Sequence, residues 1–309
     1  MDGILFPYVD PTSRATDLPF PLDNTPLSSV PNDTLASLLY KAPALHDFGQ
    51  TTVVRLSQTL VLKGGGNILP PEAAALRLVA SSSSSQPDGT IRAPRVHRAF
   101  QIPDDTKYFG TMGYLVMDYI PGRPLDTCWA SLPRHQQTDI ARQVAAMVLA
   151  MQRVQLPAGA LGPIGNGHAN GNGNINRNSN DNDNSNINSN SNDNDNEGRN
   201  WPSRGRFFTH YSAGPFGNPD VPAFRFTELV LVHQDISPRN LVLDGAGQVW
   251  LVDWADAGAY PRGFETAALR AQASFPDFHA LVLERLERDF LVERQLGAIE
   301  YGWLTAALA

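Results

Sequence analysis

The sequence predicts an α+β protein of two lobes, a small N-terminal lobe built on an antiparallel sheet and a mainly helical C-terminal lobe. Three observations point there. Short β-branched runs cluster between Thr51 and Ile120, a long amphipathic helical pattern covers Pro133 to Val154, and a second helical pattern runs from about Pro276 to Leu308. Strands early and helices late, with one hairpin set into the helical half, give an α+β layout. A chain of 309 residues is long enough for two lobes sharing a cleft.

Residues 1–34 are rich in Pro, Asp, Thr and Ser and read as an irregular lead-in. The first lobe is assigned to residues 35–118, opening on a short helix over Leu35 to Tyr40. Thr51 to Leu56 and Thr59 to Lys63 predict two antiparallel strands joined by Ser57-Gln58. Gly64-Gly65-Gly66 reads as a flexible break; it follows Lys63 instead of preceding it, which argues against a phosphate cradle. Pro70-Pro71 precedes an Ala- and Leu-rich run, Glu72 to Ala80, with the signature of a helix start. Ser81 to Gly89 reads as a loop, Arg95 to Phe100 and Gly113 to Ile120 as strands, and Pro121-Gly122-Arg123-Pro124 as a turn.

The second lobe is assigned to residues 119–309. In its long helix Ile140, Val144, Met147, Val148, Met151 and Val154 recur at helical spacing. From Gly165 to Asn200 the composition collapses to Asn, Asp, Ser and Gly, which cannot bury enough surface to offset ordering entropy and predicts a disordered loop insertion. Such insertions cost little in stability. Ordered sequence resumes near Trp201. Val230-Leu231-Val232 reads as a buried strand, and Leu241 to Val252 as a hairpin turning at Asp244-Gly245-Ala246-Gly247.

Composition narrows the function. A net charge of −7 gives no sign of a nucleic-acid or anionic-membrane surface, so neither partner is expected. No apolar run approaches the roughly 20 residues of a membrane span. The start, Met1-Asp2-Gly3-Ile4-Leu5-Phe6, lacks the pattern of a signal peptide, and Cys128 alone permits no intrachain disulfide, so a monomer in the reducing cytoplasm is expected. The sequon Asn32-Asp33-Thr34 is then a chance match. His135, His168 and His210 are scattered without zinc-ligand spacing.

The chemistry-bearing segment is His233-Gln234-Asp235-Ile236-Ser237-Pro238-Arg239-Asn240, followed by the hairpin and Asp253-Trp254. Phosphoryl transfer needs phosphates positioned, their charge neutralised and the attacking hydroxyl oriented. Asp235 is of the right type to accept the hydroxyl proton, Asn240 offers a neutral oxygen, and Asp253 brings a carboxylate back after the hairpin. Magnesium favours such hard oxygen ligands.

This pattern resembles the aminoglycoside phosphotransferase/choline kinase family of the protein-kinase-like superfamily. His233-Gln234-Asp235 is similar to the family's catalytic triplet, and Asp253-Trp254 stands where protein kinases carry Asp-Phe-Gly. Ala255-Asp256-Ala257-Gly258-Ala259-Tyr260-Pro261 also looks like this branch; no Ala-Pro-Glu follows, and Ser237 stands where protein kinases place a lysine. The resemblance implies a bilobal protein-kinase-like fold using ATP and Mg²⁺ to phosphorylate a hydroxyl of a small molecule. It makes Asp235 the base, with Asn240 beside it, and Asn240 and Asp253 the metal ligands. It also implies that Lys63 contacts the α/β-phosphates, that Glu72 holds its ammonium, and that the backbone of Asp118, Tyr119 and Ile120 binds the adenine edge. Its cover runs over most of residues 45–270.

Other roles stay open. His233 reads as a brace for the loop, Arg239 as a loop anchor or a phosphate contact, and Asp256 as a group near the metal or a turn cap. Gln234 replaces the family's usual Gly, and before Lys63 only Gly49 stands where a Gly-rich loop would lie. These departures motivate one alternative, a kinase-like binding or scaffold protein without turnover; an atypical protein kinase is a third reading, weaker for want of an activation segment ending in Ala-Pro-Glu.

Overall fold

The computed structural model describes residues 20–48, 51–83, 91–160, 162–164, 228–290 and 293. Its first lobe is a five-stranded sheet in the order β1-β2-β3-β5-β4. The strands are β1 (Ala44–Phe48), β2 (Thr51–Arg55), β3 (Leu60–Gly65), β4 (Val96–Pro103) and β5 (Thr111–Asp118). Every pairing in it is antiparallel. Helix α1 (Asn32–Leu38) lies against one face and α2 (Pro70–Ser83) against the other.

The period of two along a strand sorts the side chains between those faces. Val54, Leu62, Tyr114 and Val116 pack with Leu35 and Leu39 of the α1 side. Val61, Leu115 and Met117 join Ala73, Leu76 and Val79 of α2 in the main core, which continues into the second lobe. Lys63, in step with Val61, is thereby turned toward α2. The lead-in is tied to this lobe: Leu22 donates its N–H to Leu56 O at 2.8 Å, and Leu22 and Val30 are buried.

Three local expectations are corrected. Gly64 and Gly65 continue β3 instead of breaking it, pairing with Tyr114 and Gly113 of β5, so Lys63 sits inside the strand and not at its end. The glycine serves packing: a Cβ on Gly64 would lie 2.5 Å from the Leu39 side chain. Helix α2 passes Ala80 to Ser83, with the Ser81 and Ser82 hydroxyls donating back to Leu78 O at 2.8 and 2.9 Å. Pro121 to Pro124 is not just a turn, because Gly122–Pro124 forms β6 and pairs with the strand Leu241–Asp244. Prolines fit such an edge strand, which donates to only one neighbour.

In the second lobe follow α3 (Leu125–Cys128), α4 (Arg134–Met151), β7 (Gly162–Pro163), β8 (Leu229–Val232), β9 (Leu241–Asp244), β10 (Val249–Leu251), β11 (Gly258–Pro261), α5 (Phe264–Ala271) and α6 (Pro276–Leu283). The expected hairpin is β9–β10, and Gln143 of α4 clamps its turn: its Nε2 donates to Gly247 O at 2.9 Å and its Oε1 accepts from Val249 N–H at 3.0 Å. A further small sheet, β7-β11-β8, was not anticipated as a whole. Its central strand admits Gly258 because a Cβ there would lie 2.4 Å from Gly162 O of β7.

The Asn-rich stretch 165–200, the resumption at Trp201 and the chain from 294 onward lie outside the described residues. Among the described residues no helix is long and apolar enough to cross a membrane.

Candidate active site

Lys63 projects from β3 onto the first turn of α2, where Pro70 and Pro71 tolerate the missing hydrogen bonds of a helix start. Its ammonium lies 2.7 Å from Glu72 Oε1 and 2.8 Å from Asp253 Oδ1. Lys63 and Glu72 are buried, while the Asp253 side chain is 46 % exposed. Burial pulls the Lys63 pKa down, but the carboxylates of Glu72 and Asp253 outweigh it and raise the pKa above its ordinary value. Burial raises the Glu72 pKa, with Lys63 only partly opposing it. At Asp253 burial also acts upward, yet the Lys63 charge and hydrogen bond prevail and the carboxyl lies below its ordinary value.

The catalytic-type segment enters from β8. His233 is fully buried; its ring meets Trp254 edge-on at 4.9 Å and Nε2 lies 3.2 Å from Val252 O. Asp235 N–H donates to His233 Nδ1 at 3.3 Å, which assigns the ring proton to Nε2 as the donor toward Val252. Burial lowers the His233 pKa, in keeping with this neutral form. The His233 ring thus ties Asp235 itself to Val252, the residue before Asp253.

Asp235 holds its carboxylate between three side chains. Oδ2 accepts from Asn240 Nδ2 at 2.7 Å, and Oδ1 accepts from Arg239 at 2.9 Å and from Gln272 Nε2 at 3.4 Å. Asn240 Nδ2 also donates to Asp235 O at 2.9 Å, so the amide oxygen of Asn240 faces away from Asp235. Asn240 O accepts Val252 N–H at 2.9 Å, which brings the asparagine alongside the strand leading to Asp253. The Arg239 guanidinium is more than half exposed and reaches Asp235 instead of anchoring in the core.

Gln234 adopts φ 71°, the left-handed region that glycine enters freely. Its side-chain Nε2 donates to Asp256 O at 2.8 Å. Asp253 is likewise left-handed at φ 61°, which aspartate tolerates better than most residues.

The structure brings Lys63, Glu72 and Asp253 into contact, and Asp235 and Asn240 into a second contact. Asp118 ends β5, and Tyr119 and Ile120 follow it at the junction of the lobes. There Asp118 N–H already donates to Arg95 O at 3.1 Å and Tyr119 N–H to Thr59 O at 2.8 Å. The Tyr119 ring lies 3.2 Å from the Arg55 guanidinium, and the Asp118 carboxylate takes His97 Nε2 at 2.6 Å. Residues the sequence reading did not single out also belong here. Glu265 of α5 accepts the backbone N–H groups of His233 and Gln234, and Gln272 reaches Asp235. A glutamate in a helix's first turn carries no mark distinguishing this role from a macrodipole contact.

Residues 218–303 match the model of the phosphotransferase enzyme family. No curated protein matches the chain. Among solved structures, the streptomycin–ATP–APH(2'')-IIa ternary complex is similar with a TM-score of 0.52 at 11% identity, covering 86% of this chain and 86% of that one. The ADP-bound aminoglycoside phosphotransferase APH(2'')-Ib gives a TM-score of 0.52 at 11% identity, covering 87% and 86%. The apo form of a thermostable mutant of aminoglycoside phosphotransferase APH(4)-Ia gives 0.51 at 13% identity, covering 84% and 83%. The whole-chain likeness is one of fold, and the fold is the bilobal protein-kinase-like one. The segment from His233 to Asp253 lies within the residues that match this family model.

Proposed function

We propose that the chain is an ATP- and Mg²⁺-dependent phosphotransferase that passes the γ-phosphate to a hydroxyl of a small molecule, with Asp235 as the base. The carrying observation is the Lys63 ammonium held between Glu72 and Asp253, with Asn240 locked beside Asp235 on the segment that runs into Asp253. In this reaction the protein positions groups and neutralises charge more than it reacts.

The residues fit the groups they would hold. The Asn240 amide nitrogen is spent on Asp235, which leaves its oxygen for Mg²⁺, and Asp253 adds a half-exposed carboxylate. Among the described residues no cluster of three or more His, Cys, Asp or Glu stands ready for a metal. The protein therefore offers two oxygen ligands, and phosphates with water supply the rest, which is magnesium's habit. Bound Mg²⁺ would neutralise phosphate charge. Lys63, fixed by Glu72, would orient the α/β-phosphates. At the lobe junction Asp118 and Tyr119 have spent their N–H groups internally, so an adenine edge would use the Ile120 N–H and the carbonyls. Asp235 would take the proton of the acceptor hydroxyl as its oxygen bonds to the γ-phosphorus and ADP leaves.

The small-molecule acceptor is supported by Asp253-Trp254 in place of Asp-Phe-Gly and by the lack of Ala-Pro-Glu after it. Solved neighbours bound to streptomycin with ATP, and to ADP, point the same way. Gln234 is one motive for the non-catalytic alternative, and its φ of 71° lies in the region glycine enters freely, which is compatible with an intact loop. Gly49, the other departure, lies outside the described residues. Calorimetric titration with Mg-ATP tests the reading, followed by a metabolite panel assayed for Mg-ATP-dependent phosphorylation. Absence of Mg-ATP binding overturns it.

A further inference from the structure

We infer that Arg239 selects the charge of the acceptor: its exposed guanidinium, bonded to Asp235, holds an oxyanion on the same small molecule whose hydroxyl Asp235 deprotonates. The inference rests on the phosphotransferase reading of Asp235 and narrows the acceptor to compact hydroxy acids and phosphate esters of short polyols.

The backbone leaves Arg239 little choice of direction. It is the middle residue of the single helical turn Pro238–Asn240, in which Asn240 N–H donates to Ser237 O at 2.9 Å. Pro238 and Asn240 on either side are buried, while the Arg239 side chain is 54 % exposed. From that turn it reaches back to the base, and its Nη2 donates to Asp235 Oδ1 at 2.9 Å. Stability does not account for the contact, because an exposed ion pair adds little. Orienting the base does not require it either, since buried Asn240 already holds Oδ2 at 2.7 Å.

What remains is the rest of the guanidinium. Arginine carries several N–H donors in a fixed planar fork that matches carboxylate and phosphate oxygens two at a time. One nitrogen is spent on Asp235, and Nε and Nη1 bond no other described residue. A hydroxyl donating to Asp235 and an oxyanion accepting from this fork lie only a few bonds apart, so the molecule that spans them is compact. The neighbouring groups add no second cation. Gln272, 3.4 Å from Asp235 Oδ1, is neutral, and buried His279 has its pKa lowered, first by burial and further by the Arg239 charge. Asp126 of α3 is near enough to feel Arg239, yet among the described residues no ion pair joins them. It is the group that would favour a cationic acceptor if Arg239 did not decide.

In the transfer itself Arg239 neither gives nor takes a proton. The acceptor hydroxyl loses its proton to Asp235, its oxygen bonds to the γ-phosphorus, and the bond from that phosphorus to ADP breaks. The guanidinium offsets the negative charge that an anionic acceptor brings toward the phosphates, which would otherwise repel it.

The test compares acceptors built on one three-carbon diol: D-glycerate and glycerol 3-phosphate as anions, neutral glycerol, and cationic 3-amino-1,2-propanediol. With Mg-ATP, kcat/KM for the better anion should exceed that for glycerol by roughly tenfold or more, and the amine should be poorest. Which anion leads tells carboxylate from phosphate. Arg239→Gln should cut the anion-to-glycerol ratio by roughly fivefold or more through KM for the anion, with KM for ATP unchanged. Arg239→Lys keeps the charge and should retain most of the ratio. A purely structural role would damage all the acceptors alike and leave the ratio where it was. Added salt should also erode the preference in the wild-type chain. Glycerol or the amine used as well as the anions overturns the inference, as does a chain that binds Mg-ATP but phosphorylates neither anion. An unchanged ratio in Arg239→Gln overturns it too, and a raised KM for ATP there would make Arg239 a nucleotide contact instead. A chain that binds no Mg-ATP fails earlier, in the calorimetric titration, and sinks the phosphotransferase reading together with this acceptor.

Discussion

Lys63 and Asp253 stand 190 residues apart in the chain, and their charged atoms lie 2.8 Å apart across the junction of the two lobes. The same ammonium holds Glu72, so one cation balances two carboxylates, one buried and one half-exposed. Attraction in that setting does not by itself mean stability, because desolvating the charges opposes it. Its consequence is geometric: a strand of the first lobe is pinned both to its own helix and to the second lobe.

Removing the cation should expose this arrangement. Lys63→Ala leaves Glu72 buried without a counter-charge, and breaking a buried pair from one side costs about 3–5 kcal/mol. Glu72→Gln in the same chain removes the stranded charge and should recover a large part of that loss. Urea unfolding of the single and double variants measures both effects. Additive losses would refute the coupling.

Asp235→Ala should abolish turnover while leaving Mg-ATP affinity largely intact. The Asp235 carboxylate bonds Asn240, Arg239 and Gln272, but not Lys63 or Asp253. Loss of a general base costs about 10²–10⁴-fold. Calorimetry beside a steady-state assay separates binding from chemistry, and wild-type turnover by this variant removes Asp235 from the role of base.

Asp253→Ala should have the complementary signature. It removes one of the two oxygen donors proposed for the metal and one of the two anions on Lys63. ATP affinity should then become nearly independent of Mg²⁺ concentration, whereas the wild-type chain should bind more tightly as Mg²⁺ is added. An undiminished response to Mg²⁺ in the variant would mean that the metal is held elsewhere.

How far the sequence foreshadowed this depended on whether a feature leaves a local mark. The β2–β3 pair, α2, α4 and the β9–β10 hairpin carry their own period or turn residues, and each forms near its expected bounds. Strands β6 and β11 span three and four residues, too few for a period to show, and exist because partner strands lie alongside. Three successive glycines resemble a break, yet only Leu39, from another element, explains why Gly64 belongs in a strand. The same holds within the cleft. The segment from His233 to Asn240 is contiguous and reads as a unit, while Glu265 acts on residues 31 and 32 positions earlier, through their backbone.

The pH dependence of stability offers a last prediction, since Glu265 is shifted in a known direction. Burial lifts its carboxyl from 4.5 to about 7, against the two N–H groups that favour the ionised form and with the neighbouring Asp235 charge adding to the rise. A raised acid pKa means that between pH 4.5 and about 7 the folded chain keeps a proton that the unfolded chain has released. Stability contributed by this group is thus full below pH 4.5 and declines as pH rises through that window. Other groups titrate nearby: His233 has a lowered pKa through burial and Asp253 a lowered one through Lys63, and both act in the opposite sense. Comparison with Glu265→Gln cancels their shared contribution. The variant should gain on the wild-type chain by as much as about 3 kcal/mol between pH 4.5 and pH 8, whatever constant offset its altered hydrogen bonds impose. Chemical denaturation of both chains across that range measures the gap, and a gap that does not change with pH would show that Glu265 titrates as an ordinary glutamate.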